Sequence, residues 1–199
     1  MSPERRPDLT RQKLLDVAAD EIYHVGFQAA GISNILKKAG VSKGALYHHF
    51  PTKLDLGYAV VDEVFAGHYW ETWEPILQAD DPVDALIALI QEHHSRMRGD
   101  NLTCGCPLNN LAQEMSPLDE GFRQRVQGIF DAWRKGLAEA LRRAQKSDLL
   151  RQDVQPQPTA AFIVASLQGA IIMAKNAQDN SLFAESVEGL LEYLEGLKA

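Results

Sequence analysis

A chain of 199 residues that is 45% hydrophobic and 24% charged carries enough apolar material for one large or two small globular domains with a sizeable core. Its net charge of −7 argues against a partner that is negative everywhere, but the charge is uneven: residues 1–55 hold eight Lys or Arg against six Asp or Glu, and residues 56–199 hold twelve against twenty-one. Ser33–Leu54 contains four lysines (Lys37, Lys38, Lys43, Lys53) and no acid, so a basic end on an acidic body fits a nucleic-acid contact made by one end only.

The two cysteines, Cys104 and Cys106, are one residue apart. That number and spacing do not build a secreted disulfide scaffold, and a reducing cytoplasm is the expected compartment. The opening Met-Ser-Pro-Glu-Arg-Arg lacks the apolar core of a signal peptide. The longest apolar stretch, Ala160–Ala174, is broken by Ser166 and Gln168 and reads as too short to cross a bilayer, so a soluble protein without a membrane partner is expected.

Apolar residues recur at helical spacing nearly everywhere. A first helix is predicted from Asp8 or Thr10 to His24, with Leu14, Leu15, Ala18, Ala19 and Ile22 inward and Gly26 as its stop. Gly31 or Ser33 opens a second, ending near Ala39, with Ile32, Ile35 and Leu36 inward and Gly40 as its stop. Ser42 caps a very short third helix to Phe50. Thr52 then caps a longer one running through Val60, Val61, Val64 and Phe65 toward Trp73. Beyond Pro75 the pattern resumes over 82–98, 106–115, 118–146, 158–177 and 181–197. The expected fold is all-α, about nine helices, with an N-terminal three-helix bundle over 1–53 and a larger helical domain over 54–199.

Within the first bundle, a helix, a Gly-Val-Ser turn (Gly40–Ser42) and a second short helix make a helix-turn-helix, whose later helix lies in the DNA major groove. Leu46 and Phe50, four apart, point inward with Ile35 and Val41, which turns Lys43, Gly44, Ala45, Tyr47 and His48 outward. Gly44 and Ala45 keep that surface low, and Ala45 can meet a thymine methyl. Tyr47, His48 and His49 offer polar tips to phosphates or bases. Thr52 and Lys53 place a helix N-terminus and a cation where the sugar-phosphate backbone passes. Taken singly, Tyr47 reads equally as a boundary core residue, and His48 and His49 as ordinary surface histidines. Arg5 and Arg6 read equally as a minor-groove arm and as a solvated tail.

Gly26-Phe27, Ile35, the run Ala39-Gly40-Val41-Ser42-Lys43-Gly44-Ala45-Leu46-Tyr47-His48-His49-Phe50, and Lys53-Leu54 resemble the DNA-binding signature of the TetR/AcrR family of bacterial transcriptional regulators. The resemblance covers about a quarter of the chain, and the remaining length and helical pattern fit that family's ligand-binding and dimerisation domain. It implies a homodimer, usually a repressor, released from a double-stranded DNA operator by a small molecule. Where the family often has Thr or Ser at the start of the second helix, this chain has Ala30-Gly31, which leaves Ser33 as the hydroxyl candidate for a phosphate.

In the larger domain, the helices over 158–177 and 181–197 are the expected dimer interface. The first is apolar on most faces (Phe162, Ile163, Val164, Leu167, Ile171, Ile172, Met173), with Gly169 and Ala170 permitting close packing. Phe65, Tyr69, Trp70, Trp73, Met97, Phe122, Phe130 and Trp133 cluster in the middle helices and either line an apolar ligand cavity or form core. Cys106 precedes Pro107 at a helix start, where the positive helix end favours a thiolate, and Lys175, the only charge within Thr159–Gln178, would favour it further if close. The run Gly105-Cys106-Pro107-Leu108 to Glu114 is similar to the branch of the family with cysteine-based sensors of electrophiles and oxidants. Cys106 reads as such a sensor or as an inert thiol at a tight helix entry.

A helical-bundle enzyme or metalloprotein is the rival class. A Cys-x-Cys pair with His93 and His94 makes a poor metal site, and the chain has a single Glu-x-x-His pair, Glu21–His24, where a di-metal bundle needs two. No Gly-rich phosphate loop or nucleophile elbow is present. No catalytic residue, metal or cofactor is expected.

Overall fold

The computed structural model describes residues 5–96 and 104–199, with side chains described for 8–92 and 104–199. The expectations for Arg5, Arg6, His93, His94 and Met97 lie outside the described side chains. Among the described residues the elements are helical, apart from one isolated antiparallel bridge between Leu150 and Lys198. The helices are α1 (Arg5–Val25), α2 (Ile32–Ala39), α3 (Lys43–His49), α4 (Lys53–Ala59), a π-helical stretch (Val60–Phe65), α5 (Ala66–Gln78), α6 (Pro82–Arg96), α7 (Pro107–Met115), α8 (Glu120–Lys146), α9 (Pro156–Ala177) and α10 (Asn180–Glu195). Since α4, the π stretch and α5 follow one another without a break, the described residues form nine helical rods, as the hydrophobic spacing predicts.

By contacts the chain divides into two compact units, Met1–Tyr69 with Pro107–Gln127, and Trp70–Cys106 with Gly128–Ala199. This packing division falls elsewhere than the expected functional boundary at residues 53 and 54, because α7 and the start of α8 pack with the N-terminal helices.

In the first unit, Leu14, Leu15, Ala18, Ala19 and Ile22 are all buried along one side of α1. Ile35, Leu46, Phe50, Leu56, Leu108, Leu111 and Phe122 complete the core. Ile32 and Leu36, expected inward, are only half-buried. In the π stretch the amide of Ala66 bonds the carbonyl of Val61, five residues back, and Val60, Val61, Val64 and Phe65 are all buried. The wider turn stacks residues four and five apart on one side. It leaves the adjacent acids Asp62 and Glu63 outward, and each finds a different partner: Arg125 on α8 at 2.9 Å and Arg11 on α1 at 2.6 Å. Asp119 accepts the Phe122 amide (2.9 Å) and the Tyr58 hydroxyl (2.8 Å). Those bonds, the amide foremost, hold its carboxyl below the ordinary range.

The second unit is built on α6, the later part of α8, α9 and α10, with Leu86, Trp133, Leu137, Leu141, Ile163, Val187 and Leu194 at its centre. α5 runs past Pro75 to Gln78, beyond the stop expected near Trp73. Pro75 is exposed and three residues from the helix end, where the carbonyl it leaves without an amide partner can reach water. α9 begins two residues earlier than expected, with Pro156 as its first residue, a position for which proline is preorganised. At 22 residues it is long and apolar enough, by length and composition, to cross a membrane, contrary to the expectation from its interrupted apolar run. Its outward side carries Phe162 and Met173, each 50% exposed.

Candidate nucleic-acid interface

The helix-turn-helix is set by three local devices. Gly40 ends α2 in the left-handed region (φ 63°), and its amide bonds back to the Leu36 and Lys37 carbonyls. The Ser42 hydroxyl accepts the Ala45 amide at 3.2 Å and so starts α3. Leu46 and Phe50, 0% and 3% exposed, then fix which side of α3 is inside. Tyr47 is 40% exposed. Lys43, Gly44 and His48 are exposed with it, while Ala45 and His49 are half-buried. A Cβ at Gly44 would have its nearest neighbour 3.9 Å away, so no internal packing requires glycine there.

The expected cations are not equivalent. Lys38 bonds Glu21 at 2.8 Å and Asp20 at 3.3 Å, pinning α2 to α1. Lys38 in turn, by its hydrogen bond, holds the buried Glu21 carboxyl below its ordinary value. Lys53 donates to the Gln28 carbonyl at 3.1 Å and lies 4.7 Å from the Phe27 ring centroid. Burial lowers its pKa, against the opposing charge of Glu114. Lys37 is exposed, and the Lys43 amine sits 5.8 Å from the Tyr47 ring centroid.

The start of α4 carries the expected Thr52 cap and a second group beside it. Thr52 and Asp55 form a capping box: Asp55 accepts the Thr52 amide (2.9 Å) and hydroxyl (2.7 Å), and the Thr52 oxygen accepts the Asp55 amide (3.1 Å). A carboxylate of the chain itself thus stands at the helix N-terminus that is expected to meet a phosphate. At α2, by contrast, the cap residue Gly31 supplies no side-chain bond, and Ser33 in the first turn is exposed.

Residues that sequence reasoning passed over complete the interface from behind. Arg11 grips Glu63 through both terminal guanidinium nitrogens and lies 5.2 Å from the Phe50 ring centroid, bracing the end of α3. Glu114 on α7 accepts the amides of Phe27 (2.9 Å) and Gln28 (2.8 Å) in the turn between α1 and α2. No spacing rule links residues 87 positions apart.

The expected ligand-lining residues divide between the units. Phe65 is buried and Tyr69 half-buried in the first; Phe122, fully buried there, packs on Phe27 and Tyr58 and is core. In the second, Trp73 lies against the fully buried Trp133, centroids 4.2 Å apart, while Phe130, Cys106 and Lys175 are half-buried. Cys104 and Cys106 form no disulfide. A surface groove of about 420 Å³ is lined by none of these residues; it runs along Arg151, Val154, Gln155, Thr159, Glu192, Tyr193, Gly196 and Leu197. Among the described residues, no group of three or more His, Cys, Asp or Glu is placed to hold a metal ion.

Residues 14–60 match the family described as bacterial regulatory proteins, tetR family, and residues 82–190 match the tetracyclin repressor-like C-terminal domain. An uncharacterised HTH-type transcriptional regulator of Lactococcus lactis is 30% identical over 85% of this chain and 85% of its own length. The HTH-type transcriptional repressor DhaR of a Mycobacterium species is 27% identical over 83% of this chain and 82% of its own. The crystal structure of the reduced form of Escherichia coli NemR superposes with a TM-score of 0.81 at 25% identity, covering 96% of this chain and 97% of that one.

Proposed function

Since the chain belongs to the tetR family of bacterial regulatory proteins and is thus a DNA-binding transcriptional regulator, we propose that it is a cytoplasmic, homodimeric repressor released from its operator by a small molecule. The observation that carries the reading is the outward face of α3. It combines a lysine, a glycine that packing does not require, a phenol and an imidazole on a helix locked from behind by Leu46 and Phe50. Lys43, Tyr47 and His48 make the contacts of α3, with Ala45 at a thymine methyl and His49 at its edge. Ser33 and the uncapped start of α2 meet a phosphate. Ser42 and Thr52 act chiefly as caps, their hydroxyls engaged within the chain, and Lys53 contributes charge from a partly buried position.

The dimer forms through α9 and α10. Phe162 and Met173 of α9 and Tyr193 of α10 are exposed, with Phe162 and Tyr193 in edge contact at 4.8 Å. A Cβ at Gly169 or Gly189 would meet nothing within 4 Å, so these glycines serve no packing inside the chain and admit close approach of a second copy. Effector binding favours a head spacing that no longer matches successive major grooves. Phe65, Tyr69, Trp73, Met97, Phe130 and Trp133 are the candidates for the effector site. Cys106, with Lys175, is the candidate sensor if the effector is an electrophile with an activated carbon–carbon double bond: the thiol loses its proton, its sulfur bonds one carbon as the π bond breaks, and the neighbouring carbon takes up a proton. An unmodified Cys106 by mass spectrometry, or unchanged operator release in Cys106→Ser, would remove that route.

A gel shift with the DNA upstream of the chain's own gene tests the central reading. Binding should survive competitor DNA and fall steeply with salt. Indifference to every upstream fragment would end it.

A further inference from the structure

On the regulator reading above, we propose that Glu114 is a positioning residue, the group through which α7 sets the placement of the DNA-binding helices. The turn it holds is unusual in what it needs. Gly26 leaves α1 at φ +83°, and the amides of Phe27 and Gln28 then have no helical carbonyl to meet. Phe27 is 6% exposed, so water is a poor substitute there. The two Glu114 oxygens take one amide each, at 2.9 and 2.8 Å. Glycine is required there by its dihedral angle, and a Cβ on residue 26, 2.9 Å from one of those oxygens, would also push the carboxylate off its place.

The same residue, Gln28, is held from its other end. The Gln28 carbonyl accepts the Lys53 amine at 3.1 Å, and that amine lies over the Phe27 ring. Opposite charges on α7 and on the first residue of α4 therefore clamp one turn, and the segment they bracket contains α2 and α3. Leu108, Leu111 and Met115 bury the other side of α7 in the same compact unit. Any change that shifts α7 withdraws both acceptors together, and the exposed face of α3 loses its fixed reference. α7 starts at Pro107, directly after Cys106, so an event at that segment has a covalently short route to the turn.

The test uses the full-length protein and DNA from upstream of its own gene. Operator Kd by fluorescence anisotropy, its salt dependence, and amide hydrogen exchange are compared for wild type and Glu114→Gln, well below each melting midpoint. Exchange at residues 27 and 28 should quicken while the middle of α1 stays protected. Operator Kd should rise roughly tenfold, with the salt slope unchanged because no phosphate contact is removed. A merely structural role would lower the melting temperature and leave the Kd of the folded protein alone. If Glu114→Gln does not fold, Glu114→Asp, which keeps the charge but shortens its reach, should give the same shifts at smaller size. Kd within about twofold of wild type, or unchanged exchange at residues 27 and 28, overturns the proposal alone. Failure of the wild type to bind any upstream fragment overturns the regulator reading with it.

Discussion

The outward faces of α3 and α9 differ in nearly every property that governs association. α3 has seven residues and shows solvent a lysine, a phenol and an imidazole; α9 has 22 and shows Phe162, Met173 and an open Gly169. The first is suited to a polyanion, by charge and hydrogen bonds that salt weakens. The second is suited to another apolar surface, by burial that salt barely touches. An acidic chain can therefore bind nucleic acid: the charge matters at one short helix, and the rest of the molecule needs only to hold it. The same contrast makes the two associations separable by experiment.

Breaking the apolar face should have the largest effect. Phe162→Glu buries two carboxylates about a two-fold axis, so sedimentation velocity should show a monomer. Operator affinity should then fall about a hundredfold or more, as the two heads no longer bind together. A dimer of unchanged affinity would move the interface elsewhere. On the polar face, Tyr47→Ala should cost about 1–3 kcal/mol of operator binding if the ring makes a specific contact. Normal operator binding by the folded variant would show that the outward side of α3 is misassigned. Lys43→Ala should weaken binding alike on all sequences and lower the salt slope by about one. Lys53→Ala should weaken binding too, but with a loss of melting temperature that Lys43→Ala lacks, because its amine also holds the Gln28 carbonyl.

The smallest effect sharpens the contrast by touching neither face. Asp119 titrates below its unfolded value of 3.8, so on acidification the unfolded chain takes up the proton first. Its contribution is complete above that value and is lost as pH falls through the folded one. Asp119→Asn should lower the melting temperature by about 2–4 °C near neutrality, with the gap to wild type closing below pH 3.8. A gap independent of pH would assign the loss to shape rather than charge.

Much of this was legible in the sequence, for local reasons. Leu14 to Ile22, Gly40, Ser42 and the Leu46/Phe50 pair act through neighbours within a turn or two, and spacing reports such neighbours directly. The start of α4 was half legible: Thr52 is the cap expected, but Asp55, three residues on, fills the helix end. The capping-box pattern is as local as the cap itself, a Thr followed three residues later by an acid. Glu114, Arg11 and Asp119 were hidden for a different reason. Each acts on a residue more than fifty positions away, and no periodicity encodes which distant helix a carboxylate will reach. The effector site was the least legible, since an aromatic at helical spacing looks the same facing a neighbour, as Phe122 does, or facing a void.

The wide turn at Val60–Phe65 has an evolutionary corollary. Three of its six side chains are buried valines, so drift among aliphatic residues of similar volume should be tolerated there. Deleting one residue is another matter: the stretch would close to an ordinary α-helical turn, and Asp62 or Glu63 would swing away from its arginine. Lineages descended from such a protein should accordingly vary in spelling at this stretch while conserving its length.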